Sequence, residues 1–221
     1  LVSRPMTLFF FKRAARLLKP VARSYERRLA ELGPDARAVF WKSEDHQLVR
    51  FETLYQVIDD TDARAGGISI ADFGCGYGAL FDFLKDTPAL KDGRYVGYDM
   101  SKKMVEAARA RIHDPRARFL QQITVTEPAD YVFACGTYNM HMGADGAEWG
   151  DYVKDSLREL WAKTNKMLAF NLLRADAVER YQGLFYVDGG EFLNFCRTEL
   201  SPRATVTNDD PLPDYTFIVR R

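Results

Sequence analysis

The stretch ADFGCGYGAL, residues 71–80, sets three glycines at alternate positions between two apolar runs. Glycine weakens regular elements and tolerates backbone that side chains resist, so this spacing marks a loop shaped for close approach. A predicted strand at 68–73 runs into it and a predicted helix at 79–85 leaves it. The loop therefore starts at the carboxyl end of a strand, and the helix aims its unpaired N–H groups at whatever lies there. Gly74-x-Gly76-x-x-Ala79 satisfies a dinucleotide-binding pattern; Gly74-x-Gly76-x-Gly78 with Asp72 ahead of it fits a second ligand class equally well. Asp72 tips the choice. A carboxylate facing the loop repels a pyrophosphate and attracts the ammonium end of an aminoacyl ligand. Asp99, at the end of the next predicted strand, has the chemistry to accept both hydroxyls of a ribose, which either ligand carries.

The elements that must position these groups follow from hydrophobic spacing. Residues 7–31 carry apolar residues at helical intervals, with Gly33-Pro34 as the break. A second helix is expected from about 43 to 58, with Ser43 as its N-cap. From residue 68 short apolar runs alternate with helical segments: strands at 68–73, 94–98, 118–122, 131–134 and 167–172, and helices at 79–85, 102–112, 152–164 and 191–196. Two last strands, 203–207 and 215–220, have no helix between them. The expectation is an α/β fold: a doubly wound, mostly parallel seven-stranded sheet with an antiparallel C-terminal edge hairpin. Residues 1–60 form an N-terminal helical cap and 61–221 the core.

The runs ADFGCGYGALFDFL and YVGYDMSKKMVEAARAR resemble the first two motifs of class I S-adenosylmethionine-dependent methyltransferases, a Rossmann-like family. RFLQQI, ADYVFACGTYN and MLAFNLL fall where that family places its third, fourth and fifth strands, and FWKSEDHQLVRFETL is similar to a segment preceding the core in small bacterial members. The resemblance implies S-adenosylmethionine as cofactor. It assigns Asp72, Gly74, Gly76 and Gly78 to the methionine end, Asp99 to the ribose, and Met100, Gln122 and Ile123 to the adenine. Gln122 stands where the family often has Asp. Cys135 would flank the cofactor, while Trp41, Gln47 and Arg50 would close over it, Arg50 beside the carboxylate.

Methyl transfer from a sulfonium requires in-line positioning, exclusion of water and removal of any proton on the nucleophile. The loop 135–141 lies beside the expected sulfonium. His141 is its candidate base, because imidazole titrates near neutrality, with Tyr138 a second catalytic candidate. Asn139, Asn171 and Tyr186 are candidate substrate contacts; His113 reads as a solvated helix terminus, and His46, in the first turn of a helix, as a capping or surface residue with a pocket-facing position as the alternative. The loop is not the Asp/Asn-Pro-Pro-Tyr/Phe of base-amino methylation, and Cys135 lacks the preceding proline of cytosine carbon methylation. The expected acceptor is an oxygen or nitrogen of a small molecule.

Bulk properties bound the alternatives. The 221 residues carry a formal net charge of zero, 47% hydrophobic and 13% aromatic residues, which suits a globular domain enclosing a flat ligand. Residues 1–30 hold eight bases (Arg4, Lys12, Arg13, Arg16, Lys19, Arg23, Arg27, Arg28) against Glu26 alone. That basic arm either docks on the acidic remainder or serves an RNA-modifying enzyme. Cys75, Cys135 and Cys196 form no pair, and no His-rich or acidic metal cluster appears. The apolar run 8–11 is too short to span a membrane, so a cytoplasmic protein is expected. An NAD-dependent reductase is the remaining enzyme class, but Tyr152-Val-Lys154 lacks the spacing of a Tyr-x-x-x-Lys pair. A non-catalytic cofactor-binding partner would need no base at all.

Overall fold

A computed structural model describes residues 8–208 and 212–221. Arg4 of the basic arm and the 209–211 part of the last interstrand link lie outside the described residues. Strands β1 (Ser69–Phe73), β2 (Arg94–Asp99), β3 (Ala117–Gln121), β4 (Ala129–Ala134), β5 (Thr164–Arg174), β7 (Thr205–Asn208) and β8 (Asp214–Arg220) form one sheet in the order β3-β2-β1-β4-β5-β8-β7. The five leading strands pair in parallel, and β8 joins antiparallel to both β5 and β7. The expected seven strands and edge hairpin are present. An eighth strand, the two-residue β6 (Tyr186–Val187), pairs with the end of β5 and is too short to carry a period of its own.

Strand alternation divides the side chains between two layers. Ala71, Phe73, Val132, Leu168, Phe170, Phe217 and Val219 face α1 (Leu8–Leu32), α6 (Gly146–Ala162) and α7 (Gly189–Phe195). Ile70, Tyr131, Phe133, Met167, Ala169 and Ile218 face α2 (Glu44–Gln56), α4 (Ala79–Leu84) and α5 (Lys102–Arg111). The N-terminal helix is thus built into a core layer: Phe10, Ala14, Leu17, Leu18 and Val21 are buried there, and Arg13 and Arg16 pair with Asp155 and Glu148 on α6. Helix α6 begins six residues before the expected start, because Asp145 caps it by accepting the Glu148 N–H at 2.9 Å. The short α3 (Asp60–Ala65) has no buried residue and hence no apolar stripe for a reader of the sequence to find.

Strand order reverses between β1 and β4. In an open α/β sheet that point, at the carboxyl ends of the strands, is where ligands bind. The loops leaving it are 74–78 and 135–141.

Candidate functional site

The glycine loop takes its shape from left-handed backbone at Gly74, Gly76 and Gly78, with φ of 84°, 53° and 89°. The Gly74 and Cys75 N–H groups both donate to the Tyr98 carbonyl, at 2.8 and 3.0 Å, which ties the loop to the end of β2. Space separates the three glycines. A Cβ on Gly74 would meet the Thr137 hydroxyl at 2.5 Å, and one on Gly78 would meet Ile112 at 2.5 Å. A Cβ on Gly76 meets nothing closer than Val39 at 3.4 Å. Gly76 faces open space, whereas Gly78 is where α4 closes against α5 and β3. Gly78 does not line the cavity over the loop, contrary to its expected place at a ligand.

That inner cavity is lined by Trp41, Gln47, Asp72, Gly74, Gly76, Asp99, Met100, Gln122, Ile123 and Cys135, ten of the twelve residues expected to hold a cofactor. Asp72 is buried beneath the loop and accepts a hydrogen bond from the Tyr95 hydroxyl. Burial pushes its carboxyl up to about 7, partly opposed by the Tyr95 bond. Asp99 accepts from Gly76 N–H at 2.9 Å and from Ser101 N–H at 2.8 Å, one on each oxygen. Burial raises it to about 6 against those two bonds. Each oxygen keeps a second lone pair, enough for two hydroxyls of a ribose. A deep carboxylate beside bare glycine backbone, with a second carboxylate beyond it, fits a nucleoside bearing an ammonium. Tyr25, Val39, Phe51, Thr137 and Tyr152 also line the cavity. Tyr25 and Phe51 also pack with the apolar residues of the two core layers, so in the sequence a cavity wall reads like a core stripe.

Arg50 and Asn171 belong instead to a buried network. Arg50 grips Asp214 with Nε and Nη2, both at 2.7 Å, and gives Nη1 to the His46 carbonyl at 2.7 Å. The Asn171 amide donates to Asp214, and its Oδ1 accepts the Gly136 N–H at 2.6 Å. Arg50 is therefore already neutralised by Asp214 and does not line the inner cavity. Its guanidinium stacks 4.6 Å above the Trp41 ring, and a Cβ on Gly136 would meet that indole at 2.8 Å. The network fixes Trp41 over Gly136, and these two residues line both the inner cavity and a larger outer one.

The outer chamber, about 450 Å³, is walled by the 39–42 turn, α2, the 136–140 loop and the 173–186 segment. It is lined in part by Asn139 and Tyr186, two of the residues proposed from the sequence as substrate contacts, and the exposed His46 also borders it. His141 and Tyr138 line neither cavity. The Tyr138 ring is fully buried and its hydroxyl bonds Ser156 at 2.8 Å; burial pushes that phenol well above its usual range. His141 is folded beneath the 181–185 segment, its backbone N–H on the Gly183 carbonyl and its ring near Trp149. Leu184 bridges Met140, and the Phe185 N–H bonds the Asn139 carbonyl at 2.8 Å. This pairing turns His141 away, and neighbour spacing along the chain gives no sign of it. Burial also drives the Cys75 and Cys135 thiols up, away from nucleophile chemistry.

Comparison with known proteins bears on the family and the fold. Residues 71–161 match the family model described as a methyltransferase domain. The putative methyltransferase Rv1506c of Mycobacterium tuberculosis (strain ATCC 25618 / H37Rv) is 32% identical over 160 residues, 71% of this chain and 95% of that protein. Magnesium protoporphyrin IX methyltransferase from Synechocystis PCC 6803, solved with SAM, superposes with a TM-score of 0.59 at 14% identity, over 99% of this chain and 100% of that one. The plantazolicin methyltransferase BpumL, solved with a desmethylPZN analog and SAH, gives 0.58 at 13% identity over 95% and 99%. The methyltransferase domain of bacterial CtHen1 gives 0.55 at 17% identity over 78% and 97%. At these identities the structural likenesses speak for the fold.

Proposed function

This chain belongs to the class I S-adenosylmethionine-dependent methyltransferases, with S-adenosylmethionine as its methyl donor, and we propose that its acceptor is a small molecule held in the outer chamber. When bound, the cofactor supplies an electrophilic methyl carbon on a sulfonium. Asp72, with the backbone of Gly74 and Gly76, holds the ammonium end, and Asp99 takes the ribose hydroxyls. Met100, Gln122 and Ile123 flank the adenine, while Cys135 and Trp41 wall the space between. His46 receives the proton that an oxygen or nitrogen nucleophile gives up, a role the sequence had suggested for His141.

One observation carries this reading: the two cavities meet at Trp41 and Gly136, and the outer one is a walled chamber of about 450 Å³. Such a volume suits a small molecule. Its arginines favour no polyanion either, since Arg50 is paired with Asp214 and Arg174 with Asp176. Transfer of a labelled methyl group from S-adenosylmethionine into pooled small metabolites, run beside RNA transcripts, tests the reading. Label is expected in the small-molecule fraction, and label in RNA alone would overturn it. His46→Gln is expected to slow turnover on the order of a hundredfold while S-adenosylhomocysteine affinity stays unchanged.

A further inference from the structure

Tyr95 is a phenol in a place where the packing needs only a phenyl ring. The ring is fully buried against Phe81 and Phe119, with centroids at 5.3 and 5.9 Å. A hydroxyl carried into such a layer costs free energy unless it finds a partner, and its partner here is the Asp72 carboxylate, to which it donates. Strand register explains the meeting. Asp72 of β1 lies opposite Gly97 of β2, and Ile70 lies opposite Tyr95. Residues two apart share a face of the sheet, so with glycine opposite Asp72 the adjacent β2 side chain on that face is Tyr95. The bond engages Oδ2 alone. Oδ1 takes no hydrogen bond from the described residues, and Asp72 lines the inner cavity.

We propose that Tyr95 is a positioning residue for the methyl donor: its hydroxyl holds Oδ2 of Asp72 and leaves Oδ1 for the ammonium of S-adenosylmethionine. The inference rests on the placement of that ammonium at Asp72. A hydrogen bond donated to a carboxylate favours its charged form, and Asp72 must shed its proton before it pairs with an ammonium. Burial holds that proton on up to about 7, with the Tyr95 bond opposing it. Tyr95 therefore sets the pH at which the site becomes competent, as well as fixing the carboxylate. The other groups around Asp72 do not substitute for it. Asp99 opposes the charge, and the Cys75 and Cys135 thiols are driven up by burial and stay neutral. Arg50 of α2 is paired with Asp214, and Asp82 of α4 with Arg111. From α5 this layer receives Val105 and Ala108, and from β4 Phe133 lies opposite Asp72.

The test is calorimetry of S-adenosylhomocysteine and 5′-methylthioadenosine on the intact protein between about pH 6 and about pH 8.5, in wild type, Tyr95→Phe and Asp72→Asn. The second ligand keeps the adenosine and lacks the amino-acid end, so it reports on Asp99 without Asp72. Tyr95→Phe is expected to move the rise of S-adenosylhomocysteine affinity upward by about one pH unit. That is about a fivefold loss at neutral pH, closing by about pH 8.5. Affinity for 5′-methylthioadenosine is expected to stay unchanged in the same variant. A loss of equal size at every pH, an equal loss with both ligands, or an unmoved curve overturns the positioning role. So does loss of cooperative melting in Tyr95→Phe, which would make the hydroxyl a folding element. The placement beneath the inference fails separately: wild-type affinity of Asp72→Asn for S-adenosylhomocysteine at about pH 8 removes the ammonium from Asp72 whatever Tyr95 does.

Discussion

Asp72 acts on stability and on binding with opposite signs. Burial holds it at about 7 and Asp99 at about 6 in the folded chain, against an unfolded carboxylate near 4. A carboxyl that binds its proton more tightly when folded stabilises the fold fully below the unfolded value, and that contribution is lost as pH rises through the folded one. The ligand-free protein is therefore expected to lose thermal stability between about pH 4 and about pH 7, and Asp72→Asn to flatten that slope in calorimetric melts. Cofactor binding runs the other way, because an ammonium needs the ionised carboxylate. Affinity for S-adenosylhomocysteine should rise from about pH 6 to about pH 8 in wild type and lose that dependence in Asp72→Asn. Equal wild-type affinities at the two pH values would remove Asp72 from the ammonium site. The acid and its motif were legible in the sequence. Its partner Tyr95 was not, since it reads as one more apolar residue of a strand.

Helix α2 and strand β8 are joined by the Arg50–Asp214 pair, with both side chains under a tenth exposed. Removing one partner of such a pair leaves a buried, uncompensated charge and costs about 3–5 kcal/mol. Arg50→Met is expected to lower the unfolding free energy obtained from urea denaturation by an amount in that range, and the double variant with Asp214→Asn to recover part of the loss. No recovery would show that the pair is not coupled. Sequence reasoning placed Arg50 on the correct helix and assigned it to a ligand carboxylate. The carboxylate that claims it lies 164 positions along the chain, a separation at which spacing carries no information. Helix α6 failed differently: its start is set by the Asp145 cap, and its apolar periodicity emerges only from Trp149 onward.

The alternation of strands and helices from residue 68 gave the doubly wound sheet, because a period of two and a period of 3.6 are local properties of a chain. The treatment of residues 1–60 as a cap missed a distinction that only tertiary contacts reveal. Helix α1 contributes Phe10, Ala14, Leu17, Leu18 and Val21 to the same buried layer as Phe73 and Phe170. Deleting residues 1–32 is thus expected to abolish cooperative unfolding and expose dye-binding apolar surface, so it cannot test a role in RNA binding. Lys19→Glu, Arg23→Glu and Arg27→Glu together change exposed positions of the helix and should leave the melting transition nearly unchanged. A collapse of the triple variant would mean that these bases hold the helix in place.

The indole clasped between Arg50 and Gly136 gives the molecule an optical property. Of the three tryptophans, Trp149 is fully buried with its N–H on the Tyr138 carbonyl, and Trp161 lies beneath Arg221. Trp41 alone borders both cavities. Its emission therefore serves as an intrinsic reporter that responds to either ligand, and a Trp41→Phe chain is the dark control. With such a reporter the order in which donor and acceptor enter becomes a matter of stopped-flow traces on the unlabelled protein.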